Sequence, residues 1–181
     1  MSSTPIIIKA TKDGDVESVR NLIGKGAYLD EEDNDHKTAL YWATLYGDLE
    51  IVRLLCEEGA NLDVKNDCGI TALMLAAGRS NIEFARILCE RGAVLDLQDN
   101  LGQTALHRAV RNGRHMVVGL LCRQQDWEST VALIDKKTTR GDTVFDIAIR
   151  TKQVEMASLI DSYWYDGTHR SYWFDAARGM F

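Results

Sequence analysis

Gly102-Gln103-Thr104-Ala105-Leu106-His107-Arg108-Ala109 is the stretch that decides the fold. A glycine and a polar residue make a turn, and threonine is a good residue to open a helix. Alanine and leucine then continue that helix. The same grammar stands 33 residues earlier as Thr71-Ala72-Leu73, and 33 before that as Thr38-Ala39-Leu40. A fourth copy, Thr143-Val144-Phe145, follows after 39 residues. Gly26-Ala27, Gly59-Ala60 and Gly92-Ala93 keep the period of 33, as do Asp30, Asp63 and Asp96.

Each unit reads as a polar turn, a short first helix, a break and a second helix. The first helix carries small residues at Ala43, Ala76-Ala77, Ala109 and Ala148, and the break falls at Gly47-Asp48, Ser80-Asn81 or Gly113-Arg114. The second helix is apolar at helical spacing, as in Leu49, Val52, Leu54, Leu55 and Cys56. Gly59 and Gly92 stand where a helix needs a left-handed end. Two helices this short cannot bury their apolar faces alone, so stacking must supply the core. Small first-helix residues and bulky second-helix residues splay the stack into a curve, with the first helices and turn tips on the concave side.

This pattern resembles the ankyrin repeat, in its period and in the Thr-x-Leu-His-x-Ala signature completed at Thr104 to Ala109. The family's proline after the threonine is replaced by Ala39, Ala72, Ala105 and Val144, which removes some turn rigidity. The resemblance spans Ile6 to Ile160. It implies an all-α solenoid of stacked helix-turn-helix units with β-hairpin-like turns. Five repeats are expected, at about 5–32, 33–65, 66–98, 99–137 and 138–162, with 163–181 as an aromatic tail that caps the stack. Polar Glu17, Arg20, Lys152, Gln153 and Glu155 suit the outer faces.

Composition narrows the function. The net charge is −6, which argues against a nucleic-acid binder, since those carry a basic face. No apolar run approaches the roughly 20 residues that span a bilayer, and the start lacks the features of a signal peptide. The expected setting is reducing: the cytoplasm, with the nucleus as the second compartment. Cys56, Cys89 and Cys122 recur at the period among core leucines. Packed helices lie roughly 8–10 Å apart, too far for disulfides, so these read as small buried hydrophobes. Cys68 falls in a turn tip. His36, His107, His115 and His169 show no metal-ligand spacing, and the resemblance makes His107 a structural residue that bonds the turn. No phosphate loop, nucleophile elbow or catalytic triad is found. No enzyme activity and no cofactor or metal is expected.

The resemblance implies protein–protein recognition through turn tips and first-helix ends. The matching positions are Asp35 and Lys37, Leu45 and Tyr46, Asp67, Cys68 and Ile70, and Arg79. Further along are Asn100, Leu101, Gln103, Arg111 and Asn112, then Arg140, Asp142 and Arg150. Trp42 with Leu45-Tyr46 makes an aromatic corner of the kind found at binding hot spots. Arg79, Arg111 and Arg150 form a basic row suited to an acidic segment of a partner. The leading reading is therefore an adaptor, scaffold or inhibitor-like module, monomeric by itself. The alternatives are a structural subunit of a larger complex and an accessory or inhibitory subunit bound to an enzyme.

Two departures break the regularity. The span from Thr104 to Thr143 holds six extra residues, around Gln124 to Leu133. They read as a continued second helix or an extra turn, with Trp127, Val131 and Leu133 folded back. The tail holds Tyr163, Trp164, Tyr165, Tyr172, Trp173 and Phe174. Asp166-Gly167 marks a turn, so the last helix is expected to end near Asp166, with Trp164 and Trp173 either covering the stack or meeting a partner.

Overall fold

A computed structural model describes residues 4–79, 82–124 and 126–164. Among them are eleven helices and no strand. The first helices of successive units are α1 (Ile6–Lys12), α3 (Ala39–Tyr46), α5 (Ala72–Gly78), α7 (Ala105–Arg111) and α10 (Val144–Arg150). The second helices are α2 (Val16–Gly24), α4 (Leu49–Glu57), α6 (Ile82–Glu90), α8 (His115–Arg123) and α11 (Val154–Trp164). An extra helix, α9 (Trp127–Ile134), follows α8.

The threonines start the first helices by capping. Thr38, Thr71, Thr104 and Thr143 each accept the amide three residues on, from Tyr41, Met74, His107 and Asp146. His107 and Asp146 reach back to complete capping boxes. Asp15 and Asp48 open α2 and α4 in the same way, taking the Ser18 and Ile51 amides. Arg114 holds the equivalent place before α8 and makes no side-chain cap.

Two rows result. In the first-helix row, α1 packs on α3, α3 on α5, α5 on α7 and α7 on α10. Ala43, Ala77, Ala109 and Ala148 are fully buried there, so the backbones approach closely. In the second-helix row, bulkier Leu55, Leu88 and Leu121 fill the equivalent interior position. The two rows share one continuous hydrophobic core.

The tips project as short hairpins. Asp33, Asn66, Asp99 and Thr138 donate their amides across the turn to the carbonyls of Lys37, Ile70, Gln103 and Asp142. Neighbouring tips are tied by one backbone bond each: Asp67 to Asp35 (3.3 Å), Asn100 to Cys68 (3.1 Å) and Thr139 to Leu101 (3.0 Å).

The inserted residues differ from expectation. They form the separate helix α9 rather than a continuation or a turn. Asp126 opens it by accepting the Ser129 amide at 2.9 Å. Thr130 Oγ1 donates back to the Cys122 carbonyl at 3.0 Å, tying α9 to the end of α8. Leu133 and Ile134 are fully buried and Val131 is half-buried. The Trp127 side chain lies outside the described residues. So do 165–181, including Trp173 and the expected helix end near Asp166; α11 runs to Trp164, the last described residue.

Candidate interaction surface

Tip chemistry repeats as the sequence does. Asp33 accepts the amides of Asp35 (3.1 Å) and Lys37 (3.0 Å) and the Trp42 indole N–H (2.8 Å). Asp99 accepts the amides of Leu101 (2.8 Å) and Gln103 (2.9 Å) and the Arg108 guanidinium (2.7 Å). Trp42 and Arg108 are thus equivalent donors from equivalent helix positions to a carboxylate that shapes the turn. Burial alone would raise the pKa of Asp33; the Lys37 amide, the indole, the Asp35 amide and the Lys12 charge together hold it below the ordinary carboxylate value.

The aromatic corner is built on this hub. Trp42 is half-buried, with Lys12 Nζ 3.8 Å and Lys37 Nζ 5.0 Å from its ring centroid. Tyr46 lies 5.4 Å away, is 58% exposed and faces outward. Leu45 beside it is half-buried. Lys37 also donates to Asp35 at 2.8 Å, which raises its pKa.

The expected basic row is present but unevenly occupied. Arg150 is paired with Asp142 at 2.6 Å, and this bond lowers the Asp142 pKa. Arg79 is exposed and donates to the Leu45 carbonyl at the end of α3, at 2.6 Å. Arg111 is exposed with no carboxylate in ion-pair range among the described residues. Asn112, also exposed, donates to the Arg108 carbonyl. Arg114, which sequence reasoning passed over, sends Nε to the Gly78 carbonyl at 3.4 Å. Arg79 and Arg114 line one groove of about 380 Å³, with Thr44, Ala76 and Phe84.

Other expected positions scatter. Leu101 is 57% exposed at a tip, and Arg140 is exposed at the last tip. Ile70 is half-buried against the core. Gln103 is only 5% exposed and leaves the surface: its amide and carbonyl both close the hairpin onto Asp99. Trp164 stands at the end of α11 in the second-helix row, edge-on at 6.3 Å to Phe145 in the first turn of α10.

The charge is segregated. First helices and their caps carry Lys9, Lys12, Arg79, Arg108, Arg111 and Arg150 against Asp13 and Asp146. The second helices with α9 carry Glu17, Glu50, Glu57, Glu83, Glu90, Glu128, Glu155 and Asp161 against Arg20, Arg53, Arg86 and Arg123. An acidic protein therefore presents a basic inner row.

His107 is fully buried, with Nδ1 2.9 Å from Thr104 Oγ1; burial lowers its pKa, against the carbonyls of Asp142 and Lys136. Cys56, Cys89 and Cys122 are buried free thiols and Cys68 is exposed. Among the described residues, no group of three or more His, Cys, Asp or Glu side chains is placed to hold a metal. No described helix is long and apolar enough to cross a membrane.

A family model of ankyrin repeats matches in three copies, over residues 2–66 and 58–131. The chain belongs to the ankyrin-repeat family. Among curated proteins, no sequence matches the chain. Ankyrin repeats are generally protein–protein interaction modules, and ankyrin-repeat proteins are typically non-catalytic. The ankyrin core here is regular, and its individuality lies in the aromatic corner, the arginines of the first-helix ends and helix α9.

Proposed function

We propose that this ankyrin-repeat protein is an adaptor, scaffold or inhibitor-like binder that docks a protein partner on the concave first-helix face. The carrying observation is the segregation of charge. Six cations and two carboxylates on the first helices and caps of a protein with net charge −6 make a steering surface for an acidic segment. Tyr46, Trp42 and Leu45 add an apolar anchor at one end of the same face. The protein acts without cofactor or metal and as a monomer until it meets its partner, in the cytoplasm or nucleus.

The test is affinity purification from the native source with wild type and Arg111→Glu. Arg111 makes no ion pair among the described residues, and melting temperatures measured on both proteins separate a lost interface from a weakened fold. Partners retained equally by both proteins would place the interface elsewhere. A second reading, a fixed subunit of a larger assembly, is favoured by Met116 and Val154, 71% and 60% exposed in the second-helix row. Size-exclusion chromatography of the native material separates the two.

A further inference from the structure

Arg79, Arg111 and Arg114 differ from the ion-paired cations of the first-helix side. Lys12, Arg108 and Arg150 each face a carboxylate, Asp33, Asp99 and Asp142. Arg79 and Arg114 are held by backbone carbonyls instead, through one nitrogen each. A guanidinium has five N–H donors, so both retain a free fork. Arg111 makes no ion pair among the described residues; the nearby Asp142, which feels its charge, is hydrogen-bonded to Arg150 instead.

The carbonyl bonds matter for binding. They fix Arg79 and Arg114 at the mouth of one groove before any ligand arrives, so less side-chain entropy remains to be lost. Positive charge is concentrated there with no carboxylate among the described lining residues, and a planar fork suits a carboxylate. Arg111 ends α7, one repeat along the same edge from Gly78, which ends α5. Neighbouring helices pack roughly 8–10 Å apart. An extended chain advances about 3.3 Å per residue, so about three residues bridge that step.

We infer that the third and fourth repeats form a receptor for an extended peptide segment carrying two Asp or Glu residues about three positions apart. One carboxylate enters the Arg79–Arg114 groove and the other meets Arg111. A hydrophobic or aromatic residue on the side of the second repeat lies on Leu45 and Tyr46. This rests on the concave-face reading above and names the chemistry of its partner and the arginines that read it.

The experiment selects a randomised linear peptide library on the immobilised full chain. The best peptide is then titrated by fluorescence anisotropy against wild type, Arg79→Gln, Arg111→Gln, Arg114→Gln and the second-helix control Arg53→Gln. The expected result is a pair of acidic residues at that spacing. Each of the three variants should lose about tenfold in affinity, about 1.4 kcal/mol, while Arg53→Gln loses none. Arg79→Gln and Arg114→Gln also remove contacts within the fold, so thermal melts accompany them; Arg111→Gln has no such contact and decides the matter alone. Peptides that bind the first-helix face without an acidic pair, or indifferently to Arg111→Gln, overturn the inference and leave the concave-face reading standing. Peptides that protect only second-helix amides in NMR titration, or no enrichment at all, overturn both.

Discussion

A Cβ built on Gly102 would sit 2.7 Å from the backbone nitrogen of Thr139 in the next tip. Gly102 also has φ +70, and Thr138 crowds the same point at 2.9 Å. Gly141 holds the equivalent place in the last tip at φ +82, with nothing within 4 Å. The two glycines therefore separate backbone strain from contact. Gly141→Ala should cost about 1 kcal/mol, the strain alone. Gly102→Ala should cost about 3 kcal/mol, because backbone atoms must move. Urea unfolding measures both, and equal costs would mean that the tips do not approach this closely.

At the first tip, His36 stands in the left-handed region, at φ 55, where later tips carry glycine. Its Nδ1 meets a Glu32 carboxylate oxygen, and its Nε2 lies 3.6 Å from Asp67 in the second tip. The hydrogen bond to Glu32, then the charges of Glu32, Asp67 and Asp33, raise its pKa above 6.5. A raised pKa contributes stability that is full below the unfolded value and is lost as pH rises through the folded one. The difference in melting temperature between wild type and His36→Asn should shrink on going from mildly acidic to mildly alkaline buffer. His107 works in the opposite direction, since burial lowers its pKa, and it cancels in this difference. An NMR titration of the His36 ring at or below 6.5 would refute the account.

Asp99 has a side chain only 1% exposed and carries the fourth repeat's tip together with Arg108. Asp99→Ala strands a partly buried guanidinium and two turn amides, and should cost about 3–5 kcal/mol. Asp99→Asn should cost less, about 1–3 kcal/mol. Asn66 already serves the Cys68 and Ile70 amides from the same position one repeat earlier. Denaturant midpoints rank the two variants, and a reversed order would contradict the hub.

Burial pushes the thiols of Cys56 and Cys89 up to about 11, and that of Cys122 to about 12. Thiolate is the reactive form. At mildly alkaline pH a disulfide reagent should therefore titrate one thiol quickly in the folded protein, Cys68, and all four after unfolding. Fast modification of a second thiol would show that the second-helix row opens.

Helix α9 should be part of the folded unit. Ile134→Ala removes a fully buried side chain and should cost about 2–5 kcal/mol. Ala132, exposed on the same helix, should tolerate serine within about 0.5 kcal/mol. A negligible effect of Ile134→Ala would mean that α9 is not docked.

The repeat architecture was legible because the same physical demand recurs. Thr38, Thr71 and Thr104 cap, and the alanines and leucines that follow must be buried in every copy. Helix α9 was less legible, although Asp126 and Ser129 carry a helix-start signal that the missing glycine terminator overshadowed. Gln103 looked like a tip residue by composition, and its burial follows from hairpin closure, which periodicity does not encode. The arginine row needed three dimensions. The carbonyl that holds Arg79 belongs to Leu45, and the one that holds Arg114 belongs to Gly78, each a whole repeat away. Arg114 left one trace in the sequence, a cation at the place where Asp48 caps the second repeat.

The bonds between tips all run the same way. Thr139 gives its proton to Leu101, Asn100 to Cys68 and Asp67 to Asp35, so every amide points toward the amino terminus. The two ends of the stack therefore differ: a segment that extends it past the last tip would have to supply N–H groups, and one that extends it before the first tip would have to supply carbonyls.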